Sequence, residues 1–151
     1  MRILLAYDGS IPAEAAVEEI LRRPWPSGTK VRLVTVLEPL AAVDPADIVG
    51  VYVPVLEGIR ARIREKAYER IHDVLRKLGT RPDLEGSCEV RDGNVTQSLL
   101  DAIREWGADL VVAGSNGKTG AARLFLGSVS HALVSHAPCN VEIVRAAATA
   151  A

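Results

Sequence analysis

The chain has 151 residues, 48% of them apolar and 25% charged, with a formal net charge of -1. That length suits one compact domain that buries most of its apolar surface without disulfide or metal staples. The near-neutral balance leaves no basic footprint for nucleic acid and no charge to hold an anionic membrane.

The first apolar run, "RILLAY" (Arg2–Tyr7), has no alternation and ends at Asp8-Gly9-Ser10. Such runs are strands covered on both faces. The run is also too short for a signal peptide, so a cytoplasmic protein is expected. Ser10 is placed to cap a helix over about Ile11–Arg22, with Pro12 in its first turn, where a missing N–H costs nothing. "PWPSG" ends that helix, and "KVRLVTVLEP" follows as a second strand. The next segment, Pro39–Pro54, carries three prolines and no clean period, and reads as a long excursion. From Val55 to Leu78 the apolar residues Leu56, Ile59, Ile63, Ala67, Ile71, Val74, Leu75 and Leu78 recur every three or four positions. This is the strongest amphipathic pattern in the chain. Its charged side, including Lys66 and Arg70, reads as a solvated face. Gly79 is a fitting stop.

"LEGSCEVRDG" predicts a third strand, less apolar than the others. Asn94 and Gln97 resemble a capping box for a helix over about Val95–Trp106. "ADLVVAG" is a short, fully apolar fourth strand ending at Gly114. Gly127-Ser128 opens a last helix to about Ser135, Pro138 excludes its continuation, and "NVEIVR" closes as a fifth strand. The uncharged run around this helix is long enough for a membrane span, but its Gly, Pro, Asn, Ser and His content argues against one. Cys88 and Cys139 form no CxxC pair and read as small buried hydrophobes. The expected domain covers 1–146, with a disordered tail at 147–151.

Strict alternation of strand and helix predicts a three-layer α/β sandwich with a five-stranded parallel sheet. Ligands bind such sheets at the C-terminal strand ends, where strand order reverses. That rule points to Asp8–Ser10, Val36–Glu38 and Gly114–Gly120.

The last of these segments contains Gly-Lys-Thr, the tail of a P-loop. Counting back from Gly117, however, puts Val112 where the first P-loop glycine belongs, so the spacing fails. Instead Gly114 and Gly117 are two residues apart, and nine residues lead on to Gly127-Ser128. A glycine at a strand exit allows a sharp turn, and one beyond it allows close backbone approach to a ligand. The unpaired N–H groups of a helix start suit an anion. Ser128 and Ser130 add hydroxyls, and Lys118 and Arg123 add charge. A polyphosphate is the ligand this pattern suits.

The spacing Gly-x2-Gly-x9-Gly-Ser resembles the nucleotide-binding signature of the universal stress protein family. "RILLAYDGSIPAEAAVEE", "VTVLEP", "EVRDGNVTQSLLDAIREWGADLVVAGSNGKTG" and "LGSVSHALVSHAPCNVEIVR" resemble successive stretches of that family, in order. The resemblance implies a Rossmann-like fold of the adenine nucleotide alpha hydrolase type, in the ATP-binding branch, with Mg2+ arriving on the phosphates. By position, Asp8 would lie near ribose and adenine. Val36 would meet adenine through its main chain, and Ala6 would line that pocket. Gly114, Ser115, Gly117 and Lys118 would form one half of the phosphate loop, and Gly127, Ser128, Val129 and Ser130 the other. The resemblance also implies a homodimer through the last strand, Asn140–Arg145, and a regulatory role in stress sensed by a protein partner.

Catalysis finds less support. Asp8 either contacts sugar hydroxyls and orders its turn, or positions water or metal. Ser128 either caps a helix or accepts a phosphoryl group. His131, His136 and Cys139 have poor spacing for a metal, and His72 reads as surface. Phosphoryl transfer needs metal-holding carboxylates, and no convincing pair is evident. A nucleotide holder is therefore favoured over a slow ATPase or phosphotransferase, or over an interaction protein with a vestigial loop.

Overall fold

The computed structural model describes residues 1–39, 53–116 and 126–146. Most of the Pro39–Pro54 excursion, Gly117, Lys118, Arg123 and the 147–151 tail lie outside the described residues.

Strands and helices alternate as β1 (Arg2–Ala6), α1 (Ile11–Arg22), β2 (Thr29–Leu37), α2 (Val53–Leu78), β3 (Leu84–Asp92), α3 (Val95–Trp106), β4 (Leu110–Gly114), α4 (Ser128–His136) and β5 (Asn140–Val144). The strand pairings are all parallel, in the order β3-β2-β1-β4-β5. β1 is central, with Ile3 opposite Val31 on one side and Leu110 on the other. Its Ile3, Leu4 and Leu5 are fully buried, which is why the run has no polar alternation.

Two cores form, one on each face. Ile3, Leu5, Val31, Leu33 and Val112 pack against Ala16, Val17 and Ile20 of α1 and Ile71, Val74 and Leu78 of α2. Leu4, Val34, Val111 and Ala113 pack against Leu99, Leu100 and Ile103 of α3 and Leu133 of α4. Each large side chain so buried contributes about 1.5–3 kcal/mol. The faces follow from right-handed crossovers. The chain moves one way through β1, β2 and β3, then returns across the sheet and continues through β4 to β5. The reversal falls between β1 and β4.

Local chemistry sets the boundaries. Ser10 Oγ accepts a bond from Ala13 N at 3.3 Å to start α1. Asn94 Oδ1 accepts from Gln97 N at 3.0 Å to start α3. The reciprocal half of the expected capping box is absent, because Gln97 Nε2 donates to Asp101 Oδ1 at 2.9 Å instead. Gly107 ends α3 in the left-handed region at φ 65, its N–H donating to Arg104 O.

Two expectations need correction. The amphipathic pattern of α2 predicts burial along its length, but only its C-terminal part, from Ile71 on, is buried. Ile59 and Ile63 are 42% and 41% exposed. A 26-residue helix is ~39 Å long, whereas the nine-residue β2 and β3 span only ~30 Å. The first turns of α2 therefore overhang the C-terminal edge of the sheet. Cys88 and Cys139 are half-buried rather than buried. Burial is still enough to push the Cys139 thiol pKa up.

Candidate functional site

The site is built where β1, β2 and β4 end. After β1, Tyr7 N donates to Val34 O at 3.0 Å, and Thr35 Oγ1 donates to Tyr7 O at 2.8 Å. These bonds fix the strand exit. Asp8 then bends the chain. Its Oδ1 accepts from Ser10 N at 2.9 Å, and Gly9 supplies the positive φ of 75 that the turn requires. Asp8 thus orders its own turn and also lines a cavity of about 210 Å³. Tyr7, Thr35, Val36 and Leu37 complete the strand side of this cavity. Ile63, Lys66, Ala67 and Arg70 of α2 form the other side. Whole small-molecule sites measure roughly 300–1,000 Å³, so this cavity suits one part of a ligand. The Tyr7 hydroxyl donates to Glu14 Oε1. Burial first, and then that bond and the Glu14 charge, raise the Tyr7 pKa, so the phenol stays neutral.

Across β1, the exit of β4 meets the start of α4. Ser115 N donates to Val144 O at 2.8 Å, and Gly127 N donates to Ser115 O at 2.8 Å. Ser130 Oγ lies 2.8 Å from Gly114 O and 3.2 Å from Ser115 O. Its single proton is therefore committed to the β4 exit. Gly127 is the N-cap of α4 and provides no side-chain cap, so the cap residue itself offers the first amides of the helix no acceptor. Ser130→Ala should cost about 1–2 kcal/mol, because it leaves the buried carbonyls less satisfied. Urea unfolding would measure this, and an unchanged midpoint would refute the bracing role.

Gly114 has a packing role of its own. A Cβ built on it would stand 2.7 Å from Pro12 C and Pro12 Cβ and 2.8 Å from Ala13 N. The start of α1 lies directly on the β4 exit, and only glycine leaves room. Gly127 is different, with an ordinary φ of -63 and nearest contacts for an added Cβ at 3.4 Å.

The sequence-predicted residues thus fall into two clusters flanking the end of β1. Asp8 and Val36 line the cavity, with half-buried Ala6 packed below against the α3–α4 core. Gly114, Ser115, Gly127, Ser128, Val129 and Ser130 gather at the β4–α4 junction. Gly117 and Lys118 lie outside the described residues. Lys66 and Arg70 are exposed, as a solvated face requires, and they also wall the cavity. Their spacing of four residues on one helix was the available signal, but the overhang that gives it meaning is tertiary.

Among the described residues, no group of three or more His, Cys, Asp or Glu is placed to hold a metal. No helix among them is long and apolar enough to cross a membrane. A larger groove of about 620 Å³, open to solvent, runs between α1 and the end of β5. It lies on the outer edge of the sheet, away from the reversal point, so the smaller cavity is the better ligand candidate.

Fold and site together define a doubly wound, Rossmann-like α/β protein with its candidate ligand site at the point of strand reversal. The model of the Universal stress protein family matches residues 1–145, and the chain belongs to that family. It is 31% identical over 143 residues to the Thermus aquaticus protein described as "Universal stress protein in QAH/OAS sulfhydrylase 3'region", covering 95% of this chain and 97% of that one. Universal stress protein UspA from Lactobacillus plantarum is similar in structure, with a TM-score of 0.74 and 25% identity over 96% of this chain and 97% of its own. A universal stress protein family member from Arabidopsis thaliana, solved with AMP bound, shares the fold at a TM-score of 0.61 and 18% identity, covering 98% and 93% of the two chains.

Proposed function

We propose that this protein binds ATP with Mg2+ and acts as a nucleotide-dependent regulatory module rather than a fast enzyme. The observation that carries the reading is the junction of β4 and α4. There the Gly127–Ser115 bond of 2.8 Å holds a helix start without a side-chain cap beside the strand exit. Helix-start amides that the N-cap residue does not cap, together with the helix dipole, suit phosphate. The cavity beside Asp8 suits a base and sugar. A relative of the same fold binds AMP, which supports an adenine nucleotide as the ligand class.

On this reading Asp8 accepts from ribose hydroxyls. Val36 meets adenine through its main chain, over a floor that includes Ala6. The backbone at Gly114 and Ser115, with Gly117 and Lys118 beyond it, faces one side of the phosphates. The amides of Ser128, Val129 and Ser130 face the other, with Gly127 leaving the approach open. Mg2+ would arrive on the phosphates and shield their charge. The edge strand β5, with Arg145 just after it (Asn140–Arg145), leaves one side unpaired in the sheet for a second copy to cover, which gives a cytoplasmic homodimer whose interface responds to the ligand and is sensed by a protein partner.

A thermal-shift series with ATP, ADP, AMP, cyclic AMP and GTP tests the proposal. ATP at a hundred times its Kd should stabilise the fold by about 2.7 kcal/mol, or roughly 5–10 °C in Tm. No shift with any of the five would overturn it.

A further inference from the structure

The cavity beside Asp8 carries more positive charge than a nucleoside requires. Lys66 and Arg70 stand one helical turn apart on its α2 wall. Neither has a carboxylate ion pair among the described residues. Other cations of the same helix do: Arg64 pairs with Asp92, Arg76 with Asp73, and Lys77 with Glu14 and Glu18. Arg70 is also aimed at the turn. A Cβ built on Gly9 would stand 2.9 Å from its Nη1 and 3.1 Å from its Cδ, so the guanidinium roofs the turn that holds Asp8.

The remaining polar groups of the cavity are already committed. The Tyr7 hydroxyl donates to Glu14, and the Thr35 hydroxyl donates to Tyr7 O. Lys66 and Arg70 are thus the donors left to meet a ligand. Ammonium and guanidinium groups donate only, and their best complement is an oxygen-rich anion. This anion differs from the one expected at α4. The β4–α4 junction lies on the β4 side of β1, whereas the two cations lie on the β2 side, with Asp8 between them. A nucleotide with its 5'-phosphate at α4 and its ribose at Asp8 turns its 2' and 3' oxygens away from α4.

We infer that Lys66 and Arg70 form a second anion subsite, selecting a nucleoside 5'-phosphate that bears a further phosphate on its 2' or 3' oxygen. The subsite rests on the adenine-nucleotide reading above. The guanidinium and ammonium contact that second phosphate, and Asp8 keeps the neighbouring hydroxyl.

Calorimetric titration with adenosine 5'-monophosphate, adenosine 3',5'-bisphosphate and adenosine 2',5'-bisphosphate tests this, on the natural chain and on the double variant Lys66→Gln/Arg70→Gln. On the natural chain, one bisphosphate should bind at least about tenfold tighter than the monophosphate, the scale of a charge-assisted contact. The double variant should bring that ratio to about one. Which bisphosphate is preferred identifies the oxygen. Binding of the monophosphate with no bisphosphate preference would overturn the subsite alone, as would a preference that survives in the double variant. No binding of any of the three would overturn the subsite, and the adenine-nucleotide reading falls with it only where ATP also gives no thermal shift.

Discussion

Gly114→Ala should destabilise the fold by about 2–3 kcal/mol, a typical cost of overpacking, and lower Tm by roughly 4–12 °C. The cause is steric and lies outside any ligand. The added carbon would overlap the backbone of Pro12 and Ala13 at 2.7–2.8 Å. Backbone atoms at a helix start cannot rotate away as a side-chain tip can. Relief requires moving α1 off the sheet, and α1 contributes fully buried Ala16, Val17 and Ile20 to the core. The damage also reaches the site, because the Ser10 cap and the Asp8 turn are continuous with α1. Thermal melting without ligand measures the effect. A variant that melts with the natural protein would show that α1 does not rest on this glycine.

Gly127→Val should abolish ATP-induced stabilisation while leaving the fold standing. Its φ of -63 is open to any residue, and an added Cβ meets Asn116 Cα and Ser115 O only at 3.4 Å, ordinary contact. Loss of glycine at an N-cap costs about 1 kcal/mol, so the ligand-free Tm should fall by no more than about 4 °C. The branched side chain would instead stand at the mouth of the α4 start, where the proposal places phosphate. The ATP shift of about 2.7 kcal/mol at a hundred times Kd should then disappear. A shift that persists in a folded Gly127→Val protein would show that the phosphates, if bound, lie elsewhere. The two glycines therefore separate packing from recognition, although both stand in the same sequence signature.

That difference shows how far the sequence could be read. Gly114 and Gly127 are both conspicuous by spacing. Nothing local reveals that the Cα of one faces Pro12, about a hundred residues earlier. Ser130 was similarly legible as a hydroxyl near a helix start. Its role in bracing the carbonyls of Gly114 and Ser115 depends on α4 docking back onto β4. Lys66 and Arg70 could be read as charged and four residues apart, but not as the wall of a cavity. The Asn94 cap could be read because its partner is three residues away. Gln97 chose Asp101 over the reciprocal bond, a choice between neighbours that the pattern alone does not decide.

By itself, the sequence determined the alternation of strands and helices, the covering of the unbroken apolar run Arg2–Tyr7 on both faces, and the caps at Ser10 and Asn94. Each of these depends on contacts within a few residues or on burial periodicity. The tertiary structure decided which helix end rests on which strand exit, how far α2 overhangs the sheet, and which charges face a cavity. Those outcomes depend on the relative lengths of packed elements and on strand order, which bring Pro12 to Gly114 and Arg70 to Gly9 across long stretches of chain.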